Sequence, residues 1–274
     1  MRMGTAGRNA GFRAAYGPWA LVTGASEGIG RAMAVEVARR GLDLVLVARR
    51  VDRLEALSVE LARAYGVTAR VVAADLAEPG AAARVVAATT ALDVGLLVAA
   101  AGFGTSGRLV DTALADEVAM VDVNCRAVLA LTKPFAEQLA RRGRGGIVLL
   151  SSIVAFQGAP YSANYAATKA YVQTLAEGLD RELSPAGVDV VACAPGPVRT
   201  GFAARAGLTM GGAESAETVA RETLDALGRR GTVRPGLRAK LLAGGLATLP
   251  RAARTVIMGR IMAGMATRRD AGQT

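Results

Sequence analysis

Residues 151–169 read Ser-Ser-Ile-Val-Ala-Phe-Gln-Gly-Ala-Pro-Tyr-Ser-Ala-Asn-Tyr-Ala-Ala-Thr-Lys, and within them Tyr165 and Lys169 stand four residues apart. On a helix that spacing puts both side chains on one face, one turn from each other. A phenol beside an ammonium is a proton-transfer pair, in which the cation favours phenolate and draws the tyrosine's pKa down toward neutrality. Ser152 lies thirteen residues before Tyr165, just after the apolar run 147–150, which reads as a buried strand. A hydroxyl at that strand's end is placed to hydrogen-bond a carbonyl held over Tyr165. An ordinary surface pair is the plain alternative. Composition weighs against it, because the chain has 30 Arg but only three Lys and five Tyr. Where Arg is the default cation, a Lys points to a need for a compact, tunable charge.

These residues need a scaffold. A short apolar run at 19–23 ends in Thr23-Gly24-Ala25-Ser26-Glu27-Gly28-Ile29-Gly30, an Ala/Val-rich helical pattern runs to Arg40, and 42–48 reads as a second strand. Strand, glycine turn, helix and strand make a βαβ unit. Glycines there allow a tight turn and a close backbone approach to a pyrophosphate at the helix N-terminus. A mere connection is the alternative for such a turn taken alone. Further strands are expected at 68–73, 95–101, 146–150 and 188–194. Helices are expected at 52–65, 80–90 and 164–183, and at 114–142, there broken or bent near Pro134. Such alternation implies a parallel sheet covered on both faces, with ligands at the carboxyl ends of the strands. Gly30, Asp75, Gly102, Ser152 and Pro195 all fall just past these strands.

Composition narrows the chemistry. The chain has no His, which removes His general bases and His-ligated zinc. Cys125 and Cys193 are its only two cysteines, without metal-ligand spacing, so no metal site and a reducing cytoplasm are expected. The net charge of +10 is terminal: residues 228–274 carry +9 and residues 1–17 carry +3, whereas 18–227 carry −2. A nearly neutral body argues against a nucleic-acid groove. Residues 1–17 have no apolar core of a signal sequence and read as a flexible arm.

Taken together, the glycine turn, Asp75, Asn124, Ser152, Tyr165 with Lys169, and Pro195-Gly196 closely resemble the short-chain dehydrogenase/reductase family, over about residues 19–234. The resemblance implies a Rossmann-type α/β fold with a doubly wound parallel sheet. Its domain is expected at 18–235, followed by a basic amphipathic C-terminal extension at 236–274. It implies hydride transfer between a nicotinamide cofactor and a carbonyl or alcohol carbon. Tyr165 would be the acid in reduction and the base in oxidation. Lys169 would hold the nicotinamide ribose and depress the Tyr165 pKa, and Ser152 would stabilise the carbonyl oxygen. Asn124 would anchor a water relaying protons to Lys169. Cofactor contacts would come from Gly24, Ser26, Gly28, Ile29, Gly30, Asp75 with Leu76, Gly102, Pro195 and Gly196. For Asp75 a helix cap is the alternative, and for Asn124 a helix-bending role. The family's usual Asn-Ala-Gly after the fourth strand is replaced by Ala99-Ala100-Ala101-Gly102, which puts local stability in question.

At the end of the second strand stands Ala48-Arg49-Arg50 rather than an acid. A guanidinium at Arg49, helped by Ser26, suits a ribose 2′-phosphate, so the expected cofactor is NADP(H). Phe103, Val154, Phe156, Tyr161, Phe202, Leu208 and Met210 point to an apolar substrate, a fatty-acyl, steroid-like or other lipidic ketone or alcohol, with packing of many of them against the body as the alternative. The helices at 114–142 and 164–183 are the family's usual dimer surface, so a homo-oligomer is expected. The tail mixes arginines with Leu241, Leu242, Leu246, Leu249, Val256, Ile257, Met258, Ile261, Met262 and Met265. It reads as helices packed on the body, as a substrate lid, as an oligomer contact, or as a peripheral segment at an anionic membrane. Two other functions compete with a reductase: a cofactor-binding regulator whose catalysis has lapsed, and an NAD-dependent alcohol dehydrogenase.

Overall fold

A computed structural model of the chain describes residues 5–208 and 212–265. Helix α1 (Thr5–Tyr16) leads into β1 (Trp19–Thr23), α2 (Gly28–Arg39), β2 (Asp43–Ala48), α3 (Val51–Tyr65), β3 (Ala69–Ala73), α4 (Ala81–Ala87) and β4 (Val94–Ala99). The chain continues through α5 (Leu114–Val121), α6 (Ala127–Arg142), β5 (Gly145–Leu150), α7 (Ala163–Leu183), β6 (Val188–Cys193), α8 (Phe202–Ala206), α9 (Ala216–Ala226), β7 (Thr232–Val233), α10 (Leu237–Ala247) and α11 (Arg251–Met265). The strands form one parallel sheet in the order β3-β2-β1-β4-β5-β6-β7. The order reverses between β1 and β4, and a crevice at the carboxyl ends of these strands is where such a sheet takes ligands.

The central strands are mostly apolar because both faces are covered, whereas the edge strand β3 is only partly buried and carries Arg70. Alternate residues serve opposite cores, as the period of two in a strand requires. Ala20, Val22, Leu44, Leu46 and Val98 join α2, α3 and α9 on one face. Leu21, Val45, Val47, Leu97 and Ile147 join α4, α6 and α7 on the other.

Two expectations about this frame are corrected. The segment expected as a flexible arm is helical from Thr5 to Tyr16. Its anchor is aromatic: Phe12 and Tyr16 are buried in the first core, Arg40 lies over the Phe12 ring at 4.7 Å, and the Tyr16 hydroxyl donates to Asp189 Oδ2 at 2.6 Å. Burial and the Asp189 carboxylate push the Tyr16 phenol up. The helical stretch at 114–142 is not interrupted at Pro134, which lies inside an unbroken α6. The interruption is a π-helical turn, Asp122–Arg126, carrying the fully buried Asn124. Such a turn inserts an extra residue and re-aims the side chains around it.

The Ala99-Ala100-Ala101 segment is tied to β1 by a side chain. Thr23, 1 % exposed, accepts hydrogen bonds at Oγ1 from Ala100 N at 3.1 Å and Ala101 N at 3.0 Å. One hydroxyl thus ties the ends of β1 and β4 together at the switch point. Thr23→Val keeps the shape and removes the acceptor. We expect it to cost about 1–3 kcal/mol in urea denaturation, the penalty for orphaning a buried backbone donor; an unchanged midpoint would show that the tie is dispensable.

Candidate active site

Ser152 follows β5 and opens a 3-10 turn, Ile153–Phe156, where its Oγ accepts from Val154 N at 3.4 Å. Tyr165 and Lys169 occupy the first turns of α7, as their spacing predicts. The two segments are joined directly. Lys169 Nζ donates to Leu150 O at 2.8 Å, and Ser151 Oγ donates to Lys169 O at 3.1 Å. Behind them, Asn124 Oδ1 accepts from Phe103 N at 3.1 Å, while its Nδ2 donates to Phe103 O at 2.9 Å and to Thr168 Oγ1 at 3.1 Å. Thr168 Oγ1 in turn donates to Tyr165 O at 2.8 Å. Asn124 and Lys169 converge on Gly102, where a Cβ would lie 2.9 Å from Asn124 Oδ1 and 3.3 Å from Lys169 Nζ.

The electrostatics depart from the sequence-based expectation. Burial pushes the Tyr165 phenol up to about 12, with the Ser152 hydroxyl pulling the other way. The lysine does not draw it toward neutrality: its Nζ is committed to Leu150 O and stands 5.7 Å from the Tyr165 ring centre. Desolvation instead lowers Lys169 itself, from 10.5 to about 8. A one-turn spacing places two side chains on one face, but burial decides which protonation states they favour.

All the site residues expected from sequence line one cavity of about 440 Å³, except Asn124, which sits behind it. The glycine turn forms a cradle in one wall. Gly24 has φ +68°, and a Cβ there would lie 2.9 Å from Ala101 Cα; at Gly30 a Cβ would collide with the Gly24 carbonyl oxygen. Side chains are thereby kept off the N-terminus of α2, which suits a phosphate. The turn therefore fits a dinucleotide. At the far edge, Arg49 Nη1 lies 3.5 Å from Asp75 Oδ2, and Arg50 Nη2 bonds Ser26 Oγ at 3.2 Å and pairs with Glu27 at 2.8 Å. Asp75 Oδ1 accepts from Ala77 N at 3.0 Å, a local turn bond and not a helix cap, since α4 starts only at Ala81 with Gly80 as its cap.

The other half of the cavity is apolar. Phe103, Val154, Phe202 and Leu208 line it, as expected. Phe156 and Tyr161 do not: the Arg234 guanidinium covers the Phe156 ring at 4.4 Å, and Tyr161 is exposed with φ +65°. Met210 lies outside the described residues. The opposite wall comes from the tail, through Leu242, Met258, Ile261, Met262 and Met265. Of the apolar tail residues singled out in the sequence, only Leu241 and Val256 are exposed; the others pack in a third core with Val154, Tyr165 and Phe202. The tail is thus packed on the body, and the same residues wall the cavity. No helix among the described residues is long and apolar enough to cross a membrane.

Sequence reasoning missed several residues. Glu117, buried on α5, accepts from Thr105 Oγ1 at 2.7 Å and from Asn164 Nδ2 at 2.7 Å, tying the loop after β4 to the start of α7. Thr23 and Thr168 are hydroxyls next to motif residues, which was the available signal.

A glycine cradle at the switch point of a parallel sheet, facing a buried Tyr–Lys–Ser group, defines a nucleotide-dependent oxidoreductase fold. The chain belongs to the short-chain dehydrogenase family, whose sequence model matches residues 18–210. It is 35% identical to a 7β-hydroxysteroid dehydrogenase of Collinsella aerofaciens, over 65% of this chain and 68% of that one. It is 36% identical to a very-long-chain 3-oxoacyl-CoA reductase of Podospora anserina, over 64% of this chain and 53% of that one. A short-chain dehydrogenase from Sphingobium yanoikuyae, solved with NADPH, superimposes with a TM-score of 0.77 at 32% identity, over 93% of this chain and 99% of that one.

The lowered Lys169 has a consequence for stability. Between about 8 and 10.5 the folded chain holds fewer protons at this site than the unfolded chain does, so stability rises with pH across that window. Relative to Lys169→Met, the wild-type chain should gain roughly 3 kcal/mol at most across it. Denaturant unfolding on either side of the window tests this, and a constant difference between the two proteins would contradict it.

Proposed function

We propose that this chain is an NADP(H)-dependent reductase of bulky apolar ketones, of the steroid-like or long-chain acyl kind. The observation that carries this reading is the apolar half of the cavity, where Val154 and Phe202 flank Tyr165 and Met258, Ile261 and Met262 face them. The relatives' hydroxysteroid and 3-oxoacyl activities support the same class. A ketone in that chamber meets the Ser152 and Tyr165 hydroxyls as its polar partners. Ser152 donates a hydrogen bond to the carbonyl oxygen, and Tyr165 delivers its proton there as charge develops. A bound nicotinamide would supply the hydride to the carbonyl carbon. With a cofactor bound, Lys169 would hold the ribose hydroxyls, its charge would reach the phenol only if its ammonium turned from Leu150 O, and Asn124 would support the proton route to Lys169. The tail helices act as the substrate wall and exclude water.

The cofactor reading rests on Arg49, Arg50 and Ser26 at the end of β2, where an acid would repel a 2′-phosphate, and on the NADPH bound by the Sphingobium relative. The exposed stripe Leu114, Val118 and Val121 on α5 supports pairing of two copies. The two cysteines, both free, support a cytoplasmic location.

The test is a panel of steroid and long-chain ketones with NADPH, followed by loss of absorbance. Tyr165→Phe should lower kcat by at least about a hundredfold, the scale of a lost general acid, while NADPH still binds. Full turnover by that variant would remove the phenol from the reaction. Arg49→Asp should weaken NADPH roughly ten- to a hundredfold more than NADH, as expected for a charge-assisted bond to the 2′-phosphate. Equal losses for both nucleotides would count against NADP(H).

A further inference from the structure

Helix α8 lies across the cavity. Phe202 and Arg205, three residues apart on one of its faces, both line it. Phe202 packs on Tyr165 with ring centres 5.4 Å apart, and the Arg205 guanidinium lies 4.1 Å from the centre of the Phe103 ring. The segment entering α8 passes directly over the start of α2: a Cβ on Gly28 would lie 3.2 Å from Thr200 Cβ, and one on Gly201 would lie 3.4 Å from Glu27 Oε2. The end of α8 is fixed by the Ser106 hydroxyl, which donates to Ala206 O.

Arg205 is the anomaly on this cover. Among the described residues it forms no ion pair, although Glu27, Asp75 and Asp116 lie close enough to be felt. Burial, and next the nearby Arg49, disfavour its charge. The side chain is exposed, so what singles it out is its place: a guanidinium on a ring face at the cavity, where its planar fork is free to take an anion.

We propose that Arg205 is a cofactor-positioning residue whose guanidinium closes over the dinucleotide's pyrophosphate from the α8 side, opposite the N-terminus of α2. The inference rests on the nicotinamide-cofactor reading above. The pyrophosphate is favoured over the 2′-phosphate by position. Arg205 stacks on Phe103, just past β4, the strand beside β1 at the switch point that the pyrophosphate crosses. Arg49, Arg50 and Ser26 gather instead at the end of β2. The planar fork matches two phosphate oxygens at once.

Calorimetric titration of ADP-ribose, NADH and NADPH into wild type, Arg205→Gln and Arg205→Lys tests the assignment. Arg205→Gln should weaken all three by one common factor, roughly ten- to a hundredfold, and Arg205→Lys should recover part of the loss. Melting temperatures measured without nucleotide should stay alike, because the side chain is partly exposed. Unchanged affinities in Arg205→Gln overturn the clamp, as does a loss confined to NADPH, which gives the guanidinium to the 2′-phosphate. A rise in ketone KM with unaltered nucleotide affinity overturns it too, in favour of a substrate contact. If the wild-type chain binds none of the three, the cofactor reading itself fails and takes the clamp with it.

Discussion

Two reciprocal hydrogen bonds join the end of β5 to the second turn of α7: the Lys169 ammonium to the Leu150 carbonyl, and the Ser151 hydroxyl to the Lys169 carbonyl. The geometry of the site depends on this joint. Ser152 is the next residue along from one partner, and Tyr165 is one helical turn back from the other, so fixing the joint fixes the pair. With Lys169 only 4 % exposed, water cannot easily compete for these bonds, and a low local dielectric strengthens them. The same burial makes the joint demanding, because an ammonium held there has lost its hydration.

A second line of bonds holds α7 from behind. It runs from the Phe103 backbone through Asn124 and Thr168 to the Tyr165 carbonyl. Asn124 reaches both partners from the π-helical turn between α5 and α6, so the irregularity in that helix has a positional purpose. Glu117, one element earlier, repeats the pattern by bonding both Thr105 and Asn164. The loop after β4, the α5–α6 hinge and the start of α7 are therefore one polar unit set against the apolar sheet.

How much of this was legible in the sequence follows from how local each signal is. The strands and helices around the sheet show in their apolar runs and glycine stops, and the Tyr165–Lys169 spacing shows because a helix repeats every 3.6 residues. Thr23 stands beside a motif glycine, but its role does not show, since its partners, Ala100 and Ala101, lie far along the chain. A break in this helical region is expected at Pro134 because proline is the visible breaker, whereas the extra residue of the π-helical turn leaves no compositional trace. Helix α1 was hidden for a related reason: two aromatics, Phe12 and Tyr16, hold it, too few to give a periodic stripe. The direction of the Tyr165 shift was misread because burial, a property of the whole fold, outweighs the neighbouring charge that spacing reveals.

That misreading bears on how the proposed reaction would run. A phenol near 12 is fully protonated at neutral pH, the state an acid needs before it gives its proton to a ketone oxygen. The apolar wall of Phe202 and the tail methionines that raises it also keeps water from competing for the same oxygen. To act as a base, the same tyrosine would have to ionise against this desolvation, with Ser152 as its direct help and the Lys169 charge standing off toward Leu150. The frame thus stabilises the proton-donating state first. Ionisation is favoured only as far as the lysine's charge is brought to bear on the phenol. In the proposed reaction the apolar tail would therefore act on the phenol as well as on the substrate, because it covers one side of Tyr165 and so favours the protonated state.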